Sequence, residues 1–322
     1  MRRDTGSPIA LAHDAMSGEY DSVDDPWYTH LFATIHSELL LAIRSVTATQ
    51  YCPRALDVGC GTGLQSWLLA EAGFDVTGFD ISEGLLQVAR SKASKAPTWN
   101  NSNAFERNMQ GAHSEAKQIR GQRPRGHVNF IRGDAGESQS YTGGPFAIIN
   151  CVGSVLSFVD DPDATLQLLR EACSPGGRII LECEMKANLD IAWPLVDLLI
   201  GGRLHYDTNW RSAISNATNF RSRDSHIVYP FDLKDSGRVD LPMRLFSHRL
   251  LAQRFAKAGL SLVRKRSIHC VTNIFPSPTL HSPLSPLLSA IYSRLEYIDR
   301  KVGACWPFNR LGCSSIFVLK RT

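Results

Sequence analysis

The chain holds eight cysteines, yet no two stand as a Cys-x-x-Cys pair and none shares a metal-like spacing with histidine. That pattern excludes a disulfide framework and a zinc scaffold as organising principles, and no metal site is expected. Cys60, Cys151 and Cys183 fall in or beside apolar strand-like runs and read as reduced core residues. No stretch approaches the roughly 20 apolar residues of a spanning helix. No apolar signal core follows Met1-Arg-Arg-Asp4, so a cytoplasmic location is the expectation. Charge of one sign is scarce as well. The net charge of +4 does not demand a nucleic-acid partner. What remains is a 322-residue chain, 43% hydrophobic and 20% charged, long enough for one elaborated domain with a sizeable core.

The most informative stretch is Arg54-Ala-Leu-Asp-Val-Gly-Cys-Gly-Thr-Gly63. It reads as a buried strand running into a loop with glycine at every second position. Asp57 sits within the apolar strand end. One helix and one strand later comes Phe74-Asp-Val-Thr-Gly-Phe-Asp80, a second strand ending in an acid. A tight glycine turn lets a ligand approach the backbone, and the following helix offers free N–H groups. An acid at the next strand tip can accept hydrogen bonds from a ribose diol. Together they describe a pocket for an adenosine-containing cofactor. A dinucleotide calls for G-x-G-x-x-G, with its pyrophosphate on a helix N-terminus. Here the spacing is Gly59-x-Gly61-x-Gly63, and Asp57 would repel a pyrophosphate. A carboxylate there suits a cationic amino-acid tail instead.

This pattern resembles motif I of the class I S-adenosylmethionine-dependent methyltransferases, with Gly59, Cys60, Gly61 and Gly63 in the cofactor loop. Asp80-Ile-Ser-Glu-Gly-Leu-Leu86 is similar to that family's second motif, which implies that Asp80 binds the ribose hydroxyls and Ile81 packs on the adenine. Phe130-Ile-Arg-Gly-Asp134-Ala135 resembles the third, whose acid faces the adenine amino group. Phe146-Ala-Ile-Ile-Asn-Cys-Val-Gly-Ser154 resembles the fourth strand, whose end faces the transferring methyl, which makes Cys151 a pocket liner. Ser174-Pro-Gly-Gly-Arg-Ile-Ile-Leu-Glu182 resembles the turn and fifth strand. The likeness covers roughly residues 50–185, 245–265 and 314–321. Ala147 departs from it, since many members carry Asp after the aromatic. The implied cofactor is S-adenosyl-L-methionine, released as S-adenosyl-L-homocysteine.

Residues 1–18 read as a mobile arm. The 19–184 segment follows as the cofactor-binding core, beginning with Tyr20 and a helix-spaced set of Leu31, Ile35, Leu39 and Ile43. Tyr20 either closes over the methionine end, as the resemblance implies, or packs the helix onto the core. Trp27 and Tyr28 read as packing. Strands at 54–59, 74–79, 128–132, 146–152 and 178–184 alternate with helices near 64–72, 83–92 and 163–173. This predicts an α/β fold with a parallel sheet covered on both faces. The resemblance implies a doubly wound, seven-stranded, Rossmann-like sheet.

Three segments interrupt it. Residues 92–127 carry seven Lys/Arg against two Glu and read as a polar insertion. It is either a solvated surface segment or an electrostatic arm for an anionic substrate. Residues 185–247 contain an apolar helix and two strand-like runs, and read as an α+β substrate lid inserted after the fifth strand. Its aromatics (Trp193, Tyr206, Trp210, Phe220, Tyr229, Phe231) either line an apolar pocket or form the core of the lid itself. Residues 248–322 complete the core, with a helical insertion at 269–313.

Methyl transfer from a sulfonium leaves the protein to supply alignment, desolvation and sometimes a base. Candidate bases are His30, His205, His226 and His248. Asn150 and Ser154, at the fourth strand end, could orient an acceptor amine or hydroxyl. No Asn/Asp-Pro-Pro-aromatic motif follows that strand, and no Pro-Cys nucleophile is present, which argues against DNA amino and cytosine C5 methylation. Asp160-Asp161 reads as a helix start before Pro162. The expectation is a methyltransferase acting on an N, O or C atom of a small, largely apolar or aromatic molecule. The alternatives are an RNA methyltransferase using the 92–127 segment and a non-catalytic cofactor-binding module.

Overall fold

The apolar run Ala55–Val58 alternates its side chains between two covered faces, and this sets the layer plan of the molecule. The computed structural model describes residues 8–17, 20–21, 25–46, 53–93, 103–206, 208–218, 224–233, 237–280 and 284–322. In chain order these form α1 (Pro8–Met16), α2 (Pro26–Val46), β1 (Arg54–Val58), α3 (Leu64–Glu71), β2 (Asp75–Asp80), α4 (Glu83–Ala93), α5 (Ala104–Arg120), β3 (Val128–Arg132), β4 (Phe146–Cys151), α6 (Val155–Phe158), α7 (Pro162–Ala172) and β5 (Cys173–Glu184). There follow α8 (Trp193–Leu199), α9 (Trp210–Thr218), β6 (Ser225–Leu233), β7 (Gly237–Leu245), α10 (His248–Lys257), β8 (Leu260–Ile268), α11 (Ser277–Leu280), α12 (Pro286–Val302) and β9 (Ser314–Arg321).

Seven strands form one sheet in the order β3-β2-β1-β4-β5-β9-β8. β1 pairs in parallel with β2 on one side and β4 on the other. β9 runs antiparallel between β5 and β8. Leu56, Val58, Ile149, Leu181 and Phe317 face one core, while Ala55, Ile148, Ile180 and Val318 face the other. The strand order reverses between β1 and β4, so a crevice opens outside their carboxyl ends, where ligands of such sheets bind. This is the doubly wound, seven-stranded α/β sheet that the resemblance implies.

The structure departs from the sequence expectations in three places. Residues 8–16, expected as part of a mobile arm, form α1, which buries Ala10 and Ala12 and caps α4: Asp14 Oδ1 accepts from Ser82 Oγ at 2.5 Å and Gly84 N at 2.8 Å. Much of the basic 92–127 segment is a packed helix rather than a solvated arm. Phe105, Met109, Ala112 and Ala116 recur at helical spacing along α5, and all are buried. Two of the segment's cations are engaged by the core: Arg120 and Arg125 pair with Glu71, and Arg125 lies 5.1 Å over the Trp67 ring. Ser174-Pro-Gly-Gly177 does not interrupt the fifth strand. β5 runs on from Cys173, its register against β4 shifting between Phe146 and Ile148, with Gly176 absorbing the irregularity at φ 80.

Of the two readings of the 185–247 aromatics, the described contacts favour packing within the segment and against its neighbours. Trp193 Nε1 donates to Asn273 O at 3.1 Å, Tyr206 O–H donates to Asp190 at 2.5 Å, and Trp210 stands half exposed. These contacts hold the segment against its own neighbours and the 269–313 insertion. Phe220 lies outside the described residues, as do the side chains of Tyr229 and Phe231. β6 and β7 form a separate antiparallel pair. At its base, Phe246 N donates to Glu184 O and Lys186 N to Phe246 O.

Phe105 packs with Leu64, Met109 and Phe32, its ring 5.5 Å edge-on to Phe32. Phe105→Ala should lower the unfolding free energy by about 3 kcal/mol in urea denaturation; a solvated arm would give no change.

Candidate cofactor-binding site

Three backbone turns converge at the carboxyl ends of β1, β2 and β4. The β1 turn carries Gly59 and Gly61 at φ 66 and 54, a region that L side chains rarely adopt. A Cβ on Gly59 would meet Val155 Cγ2 at 2.3 Å, so the loop can approach the turn after β4 only as glycine. Asp80, at the tip of β2, binds the loop from below. Its Oδ2 accepts from Gly61 N and its Oδ1 from Ser82 N, each at 2.8 Å. Burial raises the Asp80 pKa, opposed by those backbone hydrogen bonds.

A cavity of about 940 Å³, including its open mouth, lies over these turns. Its lining includes Tyr20, Gly59, Cys60, Gly61, Asp80, Ile81, Asp134 and Ala135, all expected from the sequence. The Tyr20 ring comes within 3.7 Å of a Cβ built on Gly61. Next to it, Asp21 accepts from Thr62 Oγ1 at 2.6 Å and pairs with Lys92, whose Nζ also donates to Thr62 O at 3.1 Å. Tyr20 and Asp21 are thus held beside the glycine loop.

This arrangement fits an adenosyl cofactor. A buried carboxylate has lone pairs free beside its backbone partners, glycine backbone lies open to the ligand, and Ile81, Leu85 and Phe79 supply apolar wall. Residues 30–265 match the protein family described as "Methyltransferase domain". The chain belongs to the class I S-adenosylmethionine-dependent methyltransferases. Ubiquinone biosynthesis O-methyltransferase of Aromatoleum aromaticum is 32% identical over 126 residues, covering 39% of this chain and 42% of that protein. The mitochondrial enzyme of the same name from Schizosaccharomyces pombe is 30% identical over 128 residues, covering 40% and 36%. The chain thus matches about two-fifths of the length of these relatives. The CcbJ methyltransferase of Streptomyces caelestis has a similar fold, with a TM-score of 0.50 at 16% identity over 97% of this chain and 98% of that one.

Within this methyltransferase some expected site residues stand elsewhere. Asp57 does not line the cavity. It is 1% exposed, with Oδ1 accepting from Asn150 Nδ2 at 2.8 Å and Oδ2 from Ser66 Oγ at 2.5 Å. Burial pushes its pKa up to about 6 against the opposing pull of those hydrogen bonds. Asn150 is thereby engaged in locking β4 to β1 and does not face an acceptor. Gly63 caps α3 in the left-handed region, and the Cys151 side chain is fully buried in the core, so neither lines the cavity.

None of the four histidine candidates reaches the cavity. His30 is buried between α2 and α12, 3.0 Å from Asp299 and 3.5 Å from Glu296. Burial alone would lower its pKa, but these two acids outweigh it and raise it. His205 and His226 are exposed. His248 packs 6.3 Å from the Phe317 ring, and burial lowers its pKa to about 3.

The lining also includes residues that sequence reasoning missed. Ile9 and His13 come from α1, Phe32 from α2, and Val155, Phe158 and Val159 from the turn after β4. Pro8 at a first helical position was the available signal for α1. Beside this wall, Ser154 adopts φ 59, its N donating to Glu182 Oε2 at 2.7 Å and its Oγ to Glu184 Oε1 at 2.9 Å. Burial, and for Glu184 the charge of Glu182, raise the pKa of both acids.

Asp80→Ala should weaken S-adenosylmethionine binding about ten- to a hundredfold by calorimetry, with the fold intact by circular dichroism. Unchanged affinity would sink the assignment. Asp57 has the opposite signature. It binds its proton more tightly folded than unfolded, so its contribution to stability is full below about pH 4 and is lost as pH rises through about 6. Asp57→Asn should remove that loss, on the order of 3 kcal/mol, so urea midpoints of variant and wild type diverge as pH rises. Parallel profiles would place the cost of burial at another group.

Proposed function

We propose that this methyltransferase transfers the methyl group of S-adenosylmethionine to an N, O or C atom of a small, largely apolar or aromatic molecule. The observation that carries this reading is the composition of the cavity wall. Beyond the polar turns the cavity is bounded by Phe32, Val155, Phe158 and Val159, with few groups that could match a charged acceptor. The naming of the curated relatives as O-methyltransferases of a biosynthetic small molecule supports it. The alternative of an RNA acceptor has less support, because Arg120 and Arg125 of the basic segment are engaged with Glu71 and Trp67.

In this reading Asp80 holds the ribose hydroxyls, Ile81 packs on the adenine, and Asp134 and Ala135 border the base. Gly59 and Gly61 offer backbone to the amino-acid tail, and Tyr20 covers it. Asp57 acts through the loop, holding its start between Asn150 and Ser66. The bound cofactor supplies an electrophilic methyl carbon on a sulfonium. Exclusion of water by α1 and the apolar wall favours displacement on that carbon. Ser154 and Glu184 hold the turn after β4 in place beside the apolar wall, and no base is assigned for the acceptor's proton. The 185–247 segment is proposed as the substrate lid, and its base joins the β5 end at Glu184.

Incubation with methyl-labelled S-adenosylmethionine and a fractionated host extract tests the reading. Label should appear in a low-molecular-weight, nuclease-resistant fraction. Phe158→Asp, which puts a charge in the apolar wall, should reduce that incorporation at least about tenfold while cofactor affinity holds. Label in nuclease-sensitive material would replace the reading with an RNA acceptor.

A further inference from the structure

We propose that the outward face of α12 docks the protein on the surface of an anionic lipid bilayer. α12 is anchored on one side only. Tyr292 and Asp299 are buried, and the Tyr292 hydroxyl donates to Pro26 O at 3.1 Å. The outward side carries Leu287, Ile291 and Ile298, exposed by 71%, 42% and 44%. Their spacing of i, i+4 and i+11 aligns them in one stripe about three turns long. A contiguous apolar stripe open to water marks an interaction surface.

Charge selects the occupant. Arg294 and Lys301 stand at i+7 and i+14 on the same stripe. Lys301 Nζ lies 5.4 Å from the ring centre of Tyr297, itself 64% exposed. Both acids of α12 are held away from the stripe: Asp299 is buried against His30, and Glu296 engages His30 and Arg300. The stripe therefore presents apolar and cationic groups without an acid. A two-fold contact between copies would set Arg294, at mid-helix, against its own image with no carboxylate between. Headgroup phosphates satisfy those cations while the acyl margin takes the apolar side chains. Tyr297 has the amphipathic ring that settles at such a boundary, and so does Trp306, 76% exposed just beyond the helix. α12 would lie in the interface plane, since no described helix is long and apolar enough to cross a membrane. This inference is independent of the acceptor's identity.

Sedimentation of the full chain with vesicles tests it, using phosphatidylcholine alone or mixed with phosphatidylglycerol. The protein should partition onto the mixed vesicles and be released by salt. Ile291→Asp should weaken partition at least about tenfold, and Lys301→Glu by about fivefold or more. Val228→Asp, exposed on β6, should leave partition unchanged. All three positions are open to solvent, so circular dichroism and cofactor affinity should match wild type. Absence of partition, equal partition on neutral vesicles, or Ile291→Asp partitioning as wild type would overturn the proposal. So would a wild-type dimer that Ile291→Asp dissolves, which would make the stripe a contact between copies.

Discussion

One carboxylate ties together the turns on which the rest of the site depends. Asp80 accepts from the backbone of Gly61 and of Ser82, so the loop after β1 and the start of α4 are set relative to one another by a single buried group. The arrangement is costly, because burial disfavours the charged carboxyl. It persists because backbone N–H groups compensate and because the sheet holds the two turns at hydrogen-bond distance. The charge is thus placed at the cavity wall before any ligand arrives, so binding need not reorganise it.

A second layer of polar contacts holds the N-terminal segment beside the cavity. Asp14 caps α4, and Asp21 joins Thr62 and Lys92 beside the glycine loop. Both acids come from the N-terminal segment, and their partners lie in the glycine loop and at the two ends of α4. That segment and the site are therefore one structural unit. Far from it, the buried His30, with Asp299 and Glu296, fastens α12 to α2. That pairing turns the acids of α12 inward and leaves its outward face cationic and apolar.

The sheet strands were legible because a strand buried on both faces has a short apolar run with turn residues at its ends. The cofactor turns were legible because glycine at every second position, with an acid at the next strand tip, satisfies several geometric needs at once. α5 was hidden by composition: Phe105, Met109, Ala112 and Ala116 are few and small among many polar residues. Arg120 and Arg125 suggested a solvated arm, while Glu71, their partner, lies some fifty residues earlier in the chain. The histidines were poor guides for the same reason, since His30 owes its charge to acids on α12, distant in sequence.

The sequence alone determined the α/β sheet, the family and the polar turns that floor the cavity, because these rest on local patterns of apolar residues, glycine and acid. Tertiary structure decided which polar groups face the cavity and which are consumed in holding it. Asp57 and Asp80 look alike as acids near strand ends. Only the pairing of β1 with β4 brings Asn150 to Asp57 and seals it inside, and only the turn after β2 leaves Asp80 at the cavity wall. The role of a carboxylate depends on its neighbours in space, and those neighbours are set by long-range packing.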